Sequence, residues 1–328
     1  MNDPLAAPAT PGRLRSLTEQ GVLPPEALPR ALEHSAHTPA LAAWRAYLAS
    51  VLLAAGVALF ASGNLYAVAF NWHLVPRFGK VAFAAAWIVA GVAVALRTGV
   101  ASPVGRVALT ASATGVGALL AIIGQIYQTG ADDWALFATW AVLILPWSVA
   151  ARFPPLWVLN LAVLEVAVGF WGVQVSPETG DWNWLLLAAI NGAAWAACAR
   201  IPAPRWVPRL LAITTFLALL APSLSTVLDH AWLEHVGGQV ALAALLILAA
   251  WRMVVAQRDA AADRFPATVG ALAVIIAADT LLGRLLFEGL EAEELGILVL
   301  SVIVLAEAVA FVAWIRQLPD QPDDEVHA

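Results

Sequence analysis

The chain has 328 residues, of which 61% are hydrophobic and 12% charged, with a mean hydropathy of +0.80. No soluble domain needs so large an apolar fraction, and the apolar residues recur in runs long enough to cross a hydrocarbon core. A net charge of −6 argues against nucleic acid as a partner, because phosphate binding needs Lys and Arg clustered on an exposed face.

Residues 1–12 are rich in Pro and Ala and read as a disordered tail. They carry no Lys or Arg, and no apolar core with a small-residue cleavage site follows, so a cleaved signal peptide is not expected. From Arg13 onward, Leu14, Leu17, Val22, Leu23, Leu28 and Leu32 give apolar positions for two short helices around a break at residues 21–25. Residues 13–43 are therefore predicted to form a cytoplasmic amphipathic helix pair. It either lies on the membrane surface or docks onto a partner.

Ten apolar spans follow, at residues 44–66, 76–96, 106–126, 133–151, 154–175, 182–200, 206–228, 236–257, 267–287 and 295–316. Residues 44–316 thus read as an all-α polytopic membrane helical bundle, with an acidic cytoplasmic tail at 317–328. Orientation follows from the arginines, since cytoplasmic loops retain Lys and Arg. Arg13, Arg15, Arg30, Arg45, Arg97, Arg106, Arg152, Arg200, Arg205, Arg209, Arg252, Arg258, Arg264 and Arg316 fall on one side, and only Arg77, Lys80 and Arg284 on the other. Both termini are therefore expected in the cytoplasm. The opposite loops carry Asp132, Asp133, Glu178, Asp181, Asp229, Glu234 and the acids of 288–294.

Within the spans, Pro146 and Pro222 remove a backbone donor and should kink or interrupt their helices. Trp44, Trp72, Trp134, Trp157, Trp182, Trp184, Trp206, Trp232 and Trp314 sit at span ends, where amphipathic rings favour the headgroup layer. Ala111, Gly115, Gly117, Ala121 and Gly124 give the third span a face of small residues that admits a close neighbour. The one cysteine, Cys198, lies in an apolar run and reads as a small packing residue, with no partner for a disulfide or a cysteine-based metal site.

Glu165, Asp279 and Glu307 fall near the centres of the fifth, ninth and tenth spans. A carboxylate at that depth costs about 2.5–3.5 kcal/mol on insertion scales, so it normally faces a partner or a wet cavity. Asn160 and Asn191, in the fifth and sixth spans, complete a candidate midplane polar set, which reads either as a pathway or as interhelical hydrogen bonding. Arg284 is five positions from Asp279, about 140° around a helix, so the two do not share a face. Asp279 also lacks a second intramembrane Asp for a shared-proton dyad. The zinc-helix, nucleophile-elbow and phosphate-loop patterns are absent, so no catalytic set, metal or cofactor is expected.

Asn71-Trp72, then Gly124-Gln125-Ile126-Tyr127, then Asp132-Asp133 with Trp134 through Pro146, carry a family likeness. In these residues the chain resembles the predicted bacterial membrane proteins of the domain-of-unknown-function family numbered 2157. Leu17, Gly21 and Glu26 of the opening helix pair belong to the same resemblance, which covers roughly residues 14–170 and is most specific at the Gly124–Tyr127 block. It implies an integral inner-membrane protein and no particular activity. Topology places Asn71, Trp72, Gln125, Tyr127, Asp132 and Asp133 at the outer interface, either as a polar gate or as a hairpin in which Asp132 or Asp133 caps the fourth span.

The reading that results is a multi-pass bacterial inner-membrane protein that transports or conducts a small solute or ion through a midplane acidic site. The alternative is a non-transporting membrane scaffold or envelope-assembly protein. Its expected partners are the lipid bilayer and a second copy or another membrane protein.

Overall fold

The computed structural model describes residues 11–34, 44–45, 48, 52, 59, 66, 74–127, 132–177, 180–201, 203–229, 235–259, 262–289 and 293–318. Regular structure among them is entirely helical. The chain divides into two units, one of Met1–Pro76 with Asp323–Ala328 and one of Arg77–Pro322.

In the first unit, α1 (Pro11–Glu19) is followed by a 3-10 turn (Pro25–Ala27) and α2 (Leu28–His34). The end of α1 explains the break seen in the sequence. Gly21 has φ +72°, its N–H donates to the Thr18 carbonyl, and the Val22 N–H donates to the Leu17 carbonyl. This is the Schellman arrangement, which needs a residue free of the Cβ clash at positive φ. Trp44, Arg45, Leu48, Leu52, Leu59 and Tyr66 are helical, but most of the first expected span lies outside the described residues.

The second unit runs α3 (Arg77–Thr98), α4 (Pro103–Tyr127), α5 (Asp133–Ala151), α6 (Pro154–Gln174), α7 (Gly180–Cys198), α8 (Trp206–Leu228), α9 (Val236–Arg258), α10 (Phe265–Gly289) and α11 (Glu293–Gln317). Eight of these are long and apolar enough to cross a membrane, where the sequence reading expects ten spans overall. The difference has two sources. One is the span at 44–66, outside the described residues for the most part; the other is α7, whose 19 residues include Asp181, Asn183 and Asn191. Those polar groups lower its hydropathy below that of its neighbours.

Successive helices alternate in direction, so the unit has an arginine end, with Arg97, Arg152, Arg200, Arg205, Arg258, Arg264 and Arg316, and an opposite acidic end. Two larger cores and a small cluster of Ala256, Ala267 and Leu318 hold it together. In the first, Ala95, Leu109, Ala113, Val116, Ile144 and Leu156 join α3 through α6. In the second, Phe216, Leu219, Leu220, Ala241, Leu245, Ala249, Ala273 and Ala277 join α8 to α9 and α10, with Ala188 from α7. Helix α8 packs against α7, α9 and α10 and is the most buried of the candidate spans.

The small-residue face of α4 receives tryptophans from both sides. Trp87 of α3 packs against Gly115 and donates its indole N–H to the Ala111 carbonyl at 2.9 Å. Trp140 of α5 packs against Gly117 and donates to the Ala113 carbonyl at 2.7 Å. A Cβ at either glycine would collide with an indole ring, so the close approach belongs to ring against backbone. Ser112 reinforces the same seam by donating to the Ile88 carbonyl at 3.2 Å. Of the expected kink or interruption, the interruption does not occur, for α5 continues through Pro146 and α8 through Pro222. Near Pro222 the buried Ser223 hydroxyl donates to the Leu219 carbonyl at 2.7 Å, and near Pro146 Asn160 of α6 donates to the Ala141 carbonyl at 2.8 Å. Neighbouring polar groups of this kind make an intramembrane proline tolerable.

Candidate functional site

The five midplane residues separate into three places. Asn160 is buried in the α5–α6 seam, with its amide donating to Ala141. Glu165 of α6 lies beside Asn191 of α7. The Asn191 amide, 2% exposed, also donates to the Leu187 carbonyl at 3.0 Å, and its oxygen accepts the Thr214 hydroxyl of α8 at 2.6 Å. A short polar chain, Glu165–Asn191–Thr214, therefore stitches α6, α7 and α8, and its amide uses both donor and acceptor sites.

Asp279 of α10 and Glu307 of α11 meet differently, side chain to side chain. Each acid also has one buried oxygen, Asp279 Oδ1 and Glu307 Oε2, without a hydrogen-bond partner among the described residues. The sequence offers no second intramembrane Asp as a neighbour for Asp279, and the neighbour is a Glu on the next helix. Nothing in local spacing marks the pair, since the two acids are joined only by the antiparallel docking of α10 on α11.

Two open clefts border α10 and α11. At the acidic end a cleft of about 600 Å³ is lined by Ile276, Asp279, Thr280, Gly283, Arg284 and Leu300, among others. At the arginine end a second, of about 280 Å³, is lined by Met253, Ala271, Ile275, Glu307, Phe311 and Trp314. Asp279 is among the residues that line the first and Glu307 among those that line the second, whose open surface is wholly apolar. Apart from Glu307 the second cleft is walled by apolar or aromatic side chains. Arg284 stands at the mouth of the first, donating to Glu288 at 2.7 Å and to the carbonyls of Val227 and Asp229 at 2.6 and 2.7 Å. It thereby satisfies carbonyls at the end of α8 that the helix leaves unpaired.

The outer-interface candidates form no comparable cluster. Asn71 and Trp72 lie outside the described residues. Gln125 and Tyr127 are exposed on the last turn of α4. Asp132 and Asp133 open α5, yet the expected cap is not theirs, for Asp132 makes no side-chain bond to the helix start. The capping group is Gln174 from the end of α6, whose oxygen accepts the Trp134 N–H at 3.4 Å while its amide donates to Asp133 at 2.9 Å. A group forty residues away in sequence reaches the same free N–H groups that a local cap would satisfy. Farther along the same end, His235 lies 2.9 Å from Asp229 and 3.6 Å from Asp181, and Asp181 accepts the Gly238 N–H at 3.1 Å.

Among the described residues, nine long helices in the second unit, eight of them apolar enough to span a bilayer, define an all-helical multi-pass membrane protein. The family likeness seen in the sequence is shown as well: residues 15–157 match the family model described as Predicted membrane protein (DUF2157). That match runs from α1 to the first turn of α6, so Glu165, Asn191, Asp279 and Glu307 all lie beyond it. Comparison with curated proteins and with solved structures returns no match.

Proposed function

We propose that this protein carries protons across a membrane, with the Asp279–Glu307 pair as the group that takes up and releases them. The observation that carries the reading is a pair of neighbouring carboxyl groups on the packed helices α10 and α11, each of which lines a separate cleft. A carboxylate within the hydrocarbon region costs several kcal/mol unless it meets a partner or water. A pair that holds a proton lowers that cost, and exchange with water in either cleft turns it into a relay. The Glu165–Asn191–Thr214 chain has its hydrogen bonds filled within the bundle, and we assign it to packing.

On this reading ten spans cross a bacterial inner membrane, and the arginine end, both termini, the helix pair of 13–43 and the acidic tail at 317–328 are cytoplasmic. Protons then enter from the outer, acidic end. Proteoliposomes carrying a trapped pH-sensitive dye and a potassium-set potential test the idea. Parent protein should acidify the lumen faster than protein-free vesicles, D279N and E307Q should each remove that flux, and E165Q should keep it. Flux in D279N and E307Q equal to the parent's, or none in the parent, overturns the proposal.

A further inference from the structure

At the acidic end three helix termini meet at one imidazole. His235 immediately precedes α9, and its Nε2 lies 2.9 Å from Oδ2 of Asp229, the residue that closes α8. Its Nδ1 lies 3.6 Å from Oδ2 of Asp181, in the first turn of α7. The same Asp181 oxygen accepts the Gly238 N–H at 3.1 Å, and the Asp181 Cβ occupies the space that a side chain at Gly237 would need. His235 makes no cap bond to α9, so Asp181 supplies from α7 an acceptor for the free N–H groups at the start of that helix.

Both ring nitrogens therefore face carboxylate oxygens. A neutral imidazole has one N–H and one lone pair, so one nitrogen would turn its lone pair toward an anion, whereas the imidazolium has an N–H at each nitrogen and suits both. The other charges around the ring do not reverse that preference. The start of α9 carries about half a positive charge, set against two full negative ones, and its first turn holds no charged side chain. From α10 the Arg284 guanidinium reaches the Asp229 carbonyl at 2.7 Å, and Glu288, also at 2.7 Å, matches its charge. His230 and Glu234, the remaining titratable groups between α8 and α9 in sequence, lie outside the described residues.

We propose that His235 is a pH-operated clasp, whose imidazolium bridges Asp229 and Asp181 and so ties the start of α9 to the end of α8 and the start of α7. The ring is 37% exposed and exchanges protons directly with the water at the acidic end. When the Nδ1 proton leaves, the contact with Asp181 changes from attraction to repulsion, while the Nε2 N–H still donates to Asp229. The bridge belongs to the charged ring, so its stabilisation is present at low pH and is lost as the ring gives up its proton. The clasp stands independently of proton movement through Asp279 and Glu307.

Thermal unfolding of the full chain in detergent tests the clasp, at about pH 5.5 and about pH 8.5, on either side of the ordinary imidazole value of about 6.5. Parent protein should melt about 2 °C above H235Q at the lower pH, a small shift because the ring is partly exposed, and the gap should close at the higher pH. D181N keeps an oxygen for the Gly238 N–H but removes the charge. The losses in H235Q and D181N should therefore be non-additive in the double variant at the lower pH and additive at the higher one. H230Q, altered at the other histidine between α8 and α9, should follow the parent at both. An H235Q gap that is absent at the lower pH or equal at the two, additive losses at the lower pH, or an H230Q loss equal to that of H235Q would each overturn the proposal.

Discussion

Single residues in this protein settle local debts of hydrogen bonding and charge. Arg152, at the end of α5, is the one described non-glycine residue at positive φ, at +46°. An L side chain in the left-handed region costs about 1–2 kcal/mol, so R152G should raise the unfolding free energy by roughly 1 kcal/mol, read from denaturant unfolding in detergent. Gln174 takes the capping role that the sequence suggested for Asp132 or Asp133, and Q174L should cost about 0.5–2 kcal/mol in the same measurement. Asp263 gives a pH-dependent contribution. Burial pushes its carboxyl up, but hydrogen bonds from Arg209 and the Phe265 N–H, with the charges of Arg209 and Arg205, outweigh this and hold it below the ordinary value of 3.8. A folded-state value below the unfolded one stabilises the protein above the unfolded value, and that stabilisation disappears as pH falls through the folded one. The parent should therefore melt above D263N at pH 7, and the gap should close below about pH 4.

At the level of elements, close approach is set by where a residue without a Cβ meets a specific partner. Gly238 at the start of α9 faces α8 so tightly that a Cβ there would overlap the buried Thr226 hydroxyl and come within 2.7 Å of the Pro222 carbonyl. Neither is the far end of a flexible chain. G238A should destabilise by about 1–3 kcal/mol through overpacking, and a companion T226A change, which clears the hydroxyl, should recover part of the loss. Gly283 on α10 is different, since a Cβ there would make ordinary contact with Leu300 at 3.5 Å. The first kind of glycine fixes helix packing, whereas the second borders the cleft that leads to Asp279.

For the whole molecule, the two clefts and the carboxyl pair act in series if the proposed relay is correct. Filling either should then stop flux without removing either acid. G283L, which narrows the acidic-end cleft, and A310W, which fills the arginine-end cleft lined by Ala310 and Phe311, should each reduce dye-reported proton flux at least ten-fold while the protein still elutes as a folded species. A variant that keeps full flux with one cleft filled would show that the two do not form one path. Because α11 packs principally on α10, the pair depends on that single helix contact.

Spans, ends and polarity were legible in the sequence because they follow from local quantities. Apolar run length sets α5 at 133–151 and α8 at 206–228 as the sequence reading placed them, and the alternation of arginines separates the two ends. The family likeness was legible for the same reason, resting on short contiguous blocks within residues 15–157. The partners of the intramembrane acids were not. Glu165 with Asn191, Asp279 with Glu307, and Gln174 with the start of α5 are joined across helices, and hydropathy says how deep a residue lies but not which way it faces. Glycines of α4 likewise read as a helix-packing face, and only the fold shows tryptophans from α3 and α5 filling it. Chain chemistry thus determined that this is a helical membrane protein with costly acids in its spans; the rotation and docking of the helices decided that Asp279 and Glu307 are neighbours across α10 and α11.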